Sequence, residues 1–298
     1  MKNKYFLGVS PEGFHHIAYT EWGVKDPQAP TVLCIHGYSR NGRDFDHIAN
    51  HLSSKGRHVL CPDIVGRGDS SWFHNPSNYN FTQYTQDMAC MISRSESQNI
   101  DLIGTSMGGI IGMMLASLPN SPIRRLVLND VGPQIPIHGL KRLSKYIGKD
   151  PEFKSLEEAK QLFKINYSGF GITKESDWDD FTLHTVEQKG PNRFVSKMDP
   201  AVKNPKSTLH LIADFLHHPH KTLEGILYDI DLWYLWKQLK CPVLVVHGVY
   251  SDILTPEIIK QMQRTHNNIS VLSIDDAGHA PALIDKSQHE YIERWLNS

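Results

Sequence analysis

Cysteine is scarce. Cys34, Cys61, Cys90 and Cys241 are the only four in 298 residues, too few and too scattered for a disulfide framework. Three of them fall in or beside apolar strand-like runs, where a thiol behaves as a small hydrophobe, and this suits a reducing cytoplasm. No apolar run reaches membrane-spanning length. The opening Met1-Lys2-Asn3-Lys4-Tyr5-Phe6-Leu7-Gly8 starts with positive charge but lacks a long apolar stretch and a small-residue cleavage site, so no signal peptide is expected. Charge of one sign is also missing: 31 Lys and Arg nearly cancel 32 Asp and Glu. A chain without a net field has no general attraction for nucleic acid or anionic membrane, so the expected partner is a small molecule. There is no phosphate-binding glycine loop and no dinucleotide fingerprint. His217-His218-Pro219-His220 lacks a spaced ligand set and reads as a loop, so neither metal nor cofactor is expected.

What the chain does contain is alternation. Tyr5 to Val9 and Phe14 to Trp22, split by Ser10-Pro11-Glu12-Gly13, predict an antiparallel hairpin. Thr31 to Ile35 is a continuous apolar run of the kind found in a strand buried on both faces. Phe45, Ile48, Ala49 and Leu52 then recur at helical spacing. Strand and helix patterns follow one another through Val59 to Cys61, a helix within 81–95, Ile100 to Ile103, a helix after Ser106, and Leu126 to Leu128. The alternation halts at Asn129-Asp130-Val131-Gly132-Pro133, and about a hundred residues pass before the next apolar strand, far more than a connection needs. The interruption has helical periodicity. It includes Leu156, Ala159, Phe163 and Tyr167 behind a Ser155-x-x-Glu158 capping box, then Trp178 and Phe181, then Leu209, Ile212, Phe215 and Leu216. The expected organisation is an α/β core domain from 1–133 and 231–298 carrying a helical cap at 134–230, inserted after the sixth strand. Pro242 to Val246 and Ile269 to Ile274 are the last two strands, with helices begun by Thr255-Pro256 and by a Ser287-x-x-Glu290 box.

One stretch stands out within that frame. Gly104-Thr105-Ser106-Met107-Gly108 lies where strand pattern gives way to helix pattern, and a serine held there needs neighbours too small to clash. In open α/β sheets functional groups gather at the carboxyl ends of strands. Those ends carry His36-Gly37-Tyr38, Ser106, Asp130, Ser251-Asp252 and Gly278-His279. Together with the glycine turn Gly66-Arg67-Gly68-Asp69-Ser70, this series resembles the α/β-hydrolase superfamily over essentially the whole chain, in the order serine, aspartate, histidine.

The resemblance implies an α/β-hydrolase fold with a mostly parallel central sheet and a serine hydrolase of carboxylesterase type. Ser106 would be the nucleophile and His279 its base. Asp252, after the seventh strand, is the favoured orienting acid, with Asp130 the alternative, and the backbone N–H groups of Tyr38 and Met107 would form the oxyanion hole. His36 would support its loop. Trp178, Trp233, Trp236 and Phe170 could line a pocket under the cap, although such aromatics more often fill the interface. The implied reaction is hydrolysis of a small or medium carboxylic ester, or a related acyl compound, through an acyl-enzyme. Carbon–carbon hydrolysis of ring-cleavage products is an alternative that His36-Gly37-Tyr38-Ser39-Arg40 and Ala280 disfavour, and a non-catalytic binder on the same fold has no need of all three groups.

Overall fold

The computed structural model describes residues 1–26, 28–147, 151–203 and 229–298. Strands β1 (Lys2–Ser10) and β2 (Gly13–Trp22) form the expected hairpin, with Ser10 opposite Gly13. They are followed by β3 (Thr31–Ile35), helix α1 (Asp46–Ser54), β4 (Val59–Pro62), α2 (Phe81–Ser95), β5 (Ile100–Thr105), α3 (Met107–Ser117) and β6 (Ile123–Asn129). After a long excursion the chain returns with β11 (Val243–Gly248), α8 (Pro256–Thr265), β12 (Ile269–Ile274) and α9 (Lys286–Asn297). Among the described residues the strands make one eight-stranded sheet in the order β1-β2-β4-β3-β5-β6-β11-β12, parallel from β4 onward and antiparallel at β1 and β2.

The apolar runs explain this sheet. In β3, Leu33 and Ile35 join one core while Val32 and Cys34 join the other. The same division separates Leu126 and Leu128 from Val127 in β6, and Val243 and Val245 from Leu244 and Val246 in β11. Successive side chains of a strand point to opposite faces, so an uninterrupted apolar run requires a cover on both. Ile48, Ala49 and Leu52 of α1 cover one face together with Ile292 and Leu296 of α9. Helices α2, α3 and α8 cover the other.

Between β6 and β11 lie β7 (Gln134–Ile135), α4 (Ile137–Leu143), α5 (Leu156–Asn166), α6 (Glu175–Thr185), β8 (Val186–Gly190), β9 (Arg193–Ser196), β10 (Ile230–Asp231) and α7 (Trp233–Trp236). Strands β7 and β10 pair antiparallel, with Ile230 opposite Ile135, so the excursion leaves and re-enters the core side by side. Its described helices pack through aromatic rings: Phe163, Trp178 and Phe181 enclose a small separate core in which Trp178 is 5.4 Å from Phe181.

Two expectations need correction. Within the stretch expected to form a helical cap, residues 186–196 form instead the β8–β9 hairpin, in which Gly190 and Arg193 face each other across Pro191-Asn192 and Phe153 bridges to Phe194. The helical pattern around this short strand pair masked it. The last helix is not opened by Ser287, which lies inside α9; its N-cap is Asp285, and Gln288 Nε2 donates to that carboxylate at 3.3 Å. The other two starts agree with the sequence: Ser155 Oγ accepts from Glu158 N at 3.1 Å, and Thr255 Oγ1 from Ile258 N at 3.5 Å. The expected helix through Leu209, Ile212, Phe215 and Leu216 and the histidines at 217–220 lie outside the described residues. All four cysteines are free thiols, Cys34 and Cys61 buried. No described helix is long and apolar enough to cross a membrane.

The turn from β5 into α3 depends on two missing side chains. A Cβ on Gly108 would sit 2.0 Å from the Ile35 carbonyl oxygen, and one on Gly104 would sit 2.5 Å from the backbone of Gly108. Neither obstacle is a movable side-chain end, so α3 could clear it only by lifting off the sheet. Gly108→Ala should destabilise the fold by at least ~2 kcal/mol, the scale of an overpacked core; urea unfolding measures it, and a wild-type midpoint would contradict this packing.

Candidate active site

Ser106 occupies the turn with φ 51° and ψ −113°, a left-handed conformation that a non-glycine residue holds only when its surroundings impose it. The surroundings do. Ser106 N donates to Asn129 O of β6 at 3.0 Å, and Ser106 O accepts from Gly109 N and Ile110 N at the start of α3. Its side chain is thereby held at 3.0 Å, Oγ to Nε2, from His279.

His279 arrives from the loop after β12. Ala280, the next residue, has φ 64°, and the loop is fastened by Gly278 N donating to Gly169 O at 2.7 Å and Ala282 N donating to Phe170 O at 2.9 Å. Those two carbonyls belong to the excursion between β6 and β11, so the insertion helps to aim the imidazole. The other ring nitrogen, Nδ1, lies 2.8 Å from Asp130 Oδ2. A carboxylate only accepts, so Nδ1 carries the proton and Nε2 presents its lone pair to the Ser106 hydroxyl.

The acid facing His279 is therefore Asp130 and not Asp252. Asp130 follows β6 directly, is wholly buried, and has φ 55°. Besides His279 it accepts from Gly248 N at 3.0 Å, Ser251 Oγ at 2.6 Å and Ala280 N at 3.3 Å. The His247 imidazole stands 3.6 Å from Oδ1, beyond hydrogen-bond length but within electrostatic reach. Burial alone would raise the Asp130 pKa; the imidazoles of His247 and His279 and the Ser251 hydroxyl outweigh it and hold the group below its ordinary value. The favoured candidate, Asp252, is turned away by its own loop. Ser251 Oγ accepts from Ile253 N and Leu254 N at 3.2 and 3.1 Å, and the following carboxylate reaches the Arg142 guanidinium of α4 through two bonds of 2.6 Å. That guanidinium lowers the Asp252 pKa and ties the insertion to the core. No sequence pattern distinguishes a carboxylate claimed by an arginine 110 residues away from one left for a histidine.

Met107 follows the serine in the chain, and Tyr38 lies in the loop after β3. Met107 is the first residue of α3, where helical N–H groups have no intrahelical partner. The loop before Tyr38 passes close by: a Cβ on Gly37 would be 3.8 Å from Ser106 Cβ. His36 underpins that loop, its Nδ1–H donating to Gly37 O at 2.7 Å and its Nε2 accepting from Ile64 N at 2.8 Å. Burial pushes its pKa down to about 3, so it stays neutral. Beside the serine lies a cleft of about 210 Å³ between α6, the start of α1 and the loop at 280–284. Thr105, Ala280 and Phe170 line it, but Ser106 and His279 do not, so it neighbours the reactive pair without containing it. Of the other candidate pocket aromatics, Trp178 packs within the insertion, Trp236 is fully buried with its indole N–H on Thr265 at 3.0 Å, and Trp233 packs against the main core.

A hydroxyl, an imidazole and a buried carboxylate joined in series can pass a proton from oxygen to nitrogen while the carboxylate stabilises the resulting cation. The chain belongs to the α/β hydrolase family: the model of the alpha/beta hydrolase fold matches residues 30–285. Among curated relatives it is 37% identical over 286 residues to the 3-hydroxybutyrate-oligomer hydrolase of Cupriavidus necator, an alignment covering 94% of this chain and 92% of that protein. It is 26% identical to Lipase 1 of Psychrobacter immobilis, over 87% of this chain and 75% of that one. Among solved structures it superposes on a hydrolase from Rickettsia typhi with a TM-score of 0.85, 33% identity, and coverage of 100% and 99% of the two chains. An alpha/beta hydrolase from Novosphingobium aromaticivorans gives a TM-score of 0.82 at 28% identity, covering 99% and 98%.

The two aspartates should separate cleanly. Asp130→Asn should lower kcat by about 10⁴-fold, the cost of losing the tautomer that points Nε2 at the serine. Asp252→Asn, which breaks a half-exposed pair, should change kcat less than threefold and stability by about 1 kcal/mol or less. Steady-state kinetics on both variants would contradict the assignment if the order were reversed. Because the folded pKa of Asp130 is lowered, its contribution to stability is complete above the ordinary carboxylate pKa of about 3.9 and is lost as pH falls through the folded value. Acid unfolding of Asp130→Asn should accordingly lack that part of the pH dependence.

Proposed function

We propose that the protein is a serine hydrolase that cleaves short carboxylic esters through an acyl-enzyme, with residues 134–230 acting as a cap over the site. The observation that carries this reading is the series Ser106 Oγ, His279 Nε2 at 3.0 Å, and His279 Nδ1 to Asp130 Oδ2 at 2.8 Å.

In the first half-reaction Ser106 Oγ attacks the ester carbonyl carbon as its proton moves to His279 Nε2. The carbonyl π electrons become an oxyanion, received by the N–H groups of Tyr38 and Met107. Collapse of the tetrahedral adduct breaks the bond to the alkoxy oxygen, which leaves as an alcohol with the proton from His279. In the second half-reaction water gives its proton to His279 and its oxygen to the acyl carbon. The acid is released and Ser106 recovers its hydrogen.

The substrate class is supported by the Cupriavidus necator relative, a 3-hydroxybutyrate-oligomer hydrolase aligned over nearly the whole of both chains. Short oligoesters of hydroxy acids are thus the first natural candidates, with simple alkyl esters as model substrates. Hydrolysis of 3-hydroxybutyrate dimer and trimer, followed by chromatography alongside p-nitrophenyl acetate and butyrate, tests the reading. Wild type should turn over members of both sets, a fluorophosphonate should label Ser106, and Ser106→Ala should lose at least ~10⁴-fold in kcat. No turnover of any ester together with no labelling would overturn it.

A further inference from the structure

Arg67 is among the largest fully buried side chains of the protein, at 0% exposure, yet among the described residues no carboxylate pairs with it. Burying a guanidinium without a counter-ion is costly, and the charge is fixed because a guanidinium does not give up its proton in proteins. Its contacts show where that charge is directed. Nε donates to the Tyr38 carbonyl oxygen at 3.0 Å, Nη2 lies 3.9 Å from Met107 Sδ, and Nη1 donates to Val65 O at 2.9 Å and Tyr84 Oη at 2.8 Å. The guanidinium also lies 5.2 Å from the Tyr38 ring centroid and 5.0 Å from that of Tyr84. One side chain thus touches both residues whose N–H groups would receive the oxyanion.

We infer that Arg67 is a positioning residue for the oxyanion hole, fixing the Tyr38 and Met107 segments against each other and setting a positive potential behind them. The inference rests on the serine-hydrolase reading of Ser106.

The geometry has two parts. The Gly37–Tyr38 peptide is held from one end, because Gly37 O accepts from His36 Nδ1 at 2.7 Å and from Arg40 N at 3.2 Å. In a planar trans peptide the N–H points opposite to the C=O, so fixing Gly37 O aims Tyr38 N–H. Arg67 fixes the next peptide through Tyr38 O, and the two bonds together leave Tyr38 little freedom about φ or ψ. The second part is electrostatic. In a site screened from water, a fixed positive charge favours a tetrahedral adduct bearing a full negative charge over a neutral ester. A contact that only held the fold together would not discriminate between those two states.

The test uses Arg67→Met, which keeps length and apolar volume without the charge, and Arg67→Lys, which keeps the charge without the fork. For each, kcat and KM on p-nitrophenyl butyrate are measured with thermal melting, along with inhibition by an alkyl boronic acid, which forms an anionic tetrahedral adduct on a nucleophilic serine. Arg67→Met should lower kcat about 10- to 100-fold, somewhat less than removal of a direct oxyanion donor. KM should stay within threefold, boronate affinity should fall by a factor similar to kcat, and Arg67→Lys should recover part of both losses. Should Arg67→Met not fold, Arg67→Lys alone decides: a kcat loss matched by weaker boronate binding at unchanged KM supports the inference, and wild-type values for both overturn it. Loss of kcat with unchanged boronate affinity would also overturn it, leaving Arg67 a packing residue. The underlying reading fails separately, if wild-type Ser106 takes neither boronate nor fluorophosphonate.

Discussion

The reactive geometry depends on one buried carboxylate. Asp130 sits at the end of β6 with φ 55° and no exposed surface, and it accepts from two backbone N–H groups, a serine hydroxyl and an imidazole. A charge there is tolerable only because each of those donors is in place. The reverse also holds: the carboxylate draws together the end of β11 through Gly248, the following turn through Ser251 and the histidine loop through His279 and Ala280. Three strand ends are thereby registered against Ser106, which is itself bonded to the end of β6 at Asn129. The positive φ at Asp130, Ser106 and Ala280 is the local cost, of order 1 kcal/mol or more apiece, of converging side chains from separate strands on one point.

The insertion between β6 and β11 takes part in the same arrangement. Gly169 and Phe170 bond the histidine loop, Tyr167 Oη meets Ser39 Oγ at 3.0 Å, and Tyr38 Oη donates to Val202 O at 2.9 Å. Arg40 reaches across to Thr185 Oγ1 at 2.6 Å with its guanidinium 3.5 Å above the Phe181 ring. Both the His279 loop and the segment proposed to bind the oxyanion are therefore fastened partly by residues outside the α/β core. Movement of the insertion would be transmitted through those bonds to the His279 loop and to the Tyr38 segment beside Ser106.

The features readable in the sequence are those that local patterns determine. Apolar runs such as Val243 to Val246 report two-sided burial, Gly104 and Gly108 report a backbone with no space for a Cβ, and the position of His279 after the last strand reports the imidazole that meets Ser106. The features that stayed hidden arise between distant residues. Asp130 and Asp252 both follow strands and both look available; only the fold reveals that Arg142 takes one and His279 the other. The β8–β9 hairpin was lost among stronger helical signals, and Asp285 was overlooked because Ser287 completed a capping pattern two residues further on. Arg67 had no signal beyond its place in a glycine turn. Its burial and its grip on Tyr38 and Met107 come from the folding of that turn beneath two other segments.

The whole arrangement turns on the Asp130 carboxylate holding the proton of His279 Nδ1. Proton NMR of protein labelled with ¹⁵N-histidine observes that hydrogen directly, as a far-downfield resonance protected from solvent exchange. The resonance should be present in the wild type and in Asp252→Asn and lost in Asp130→Asn. A resonance that survived in Asp130→Asn and vanished in Asp252→Asn would contradict it.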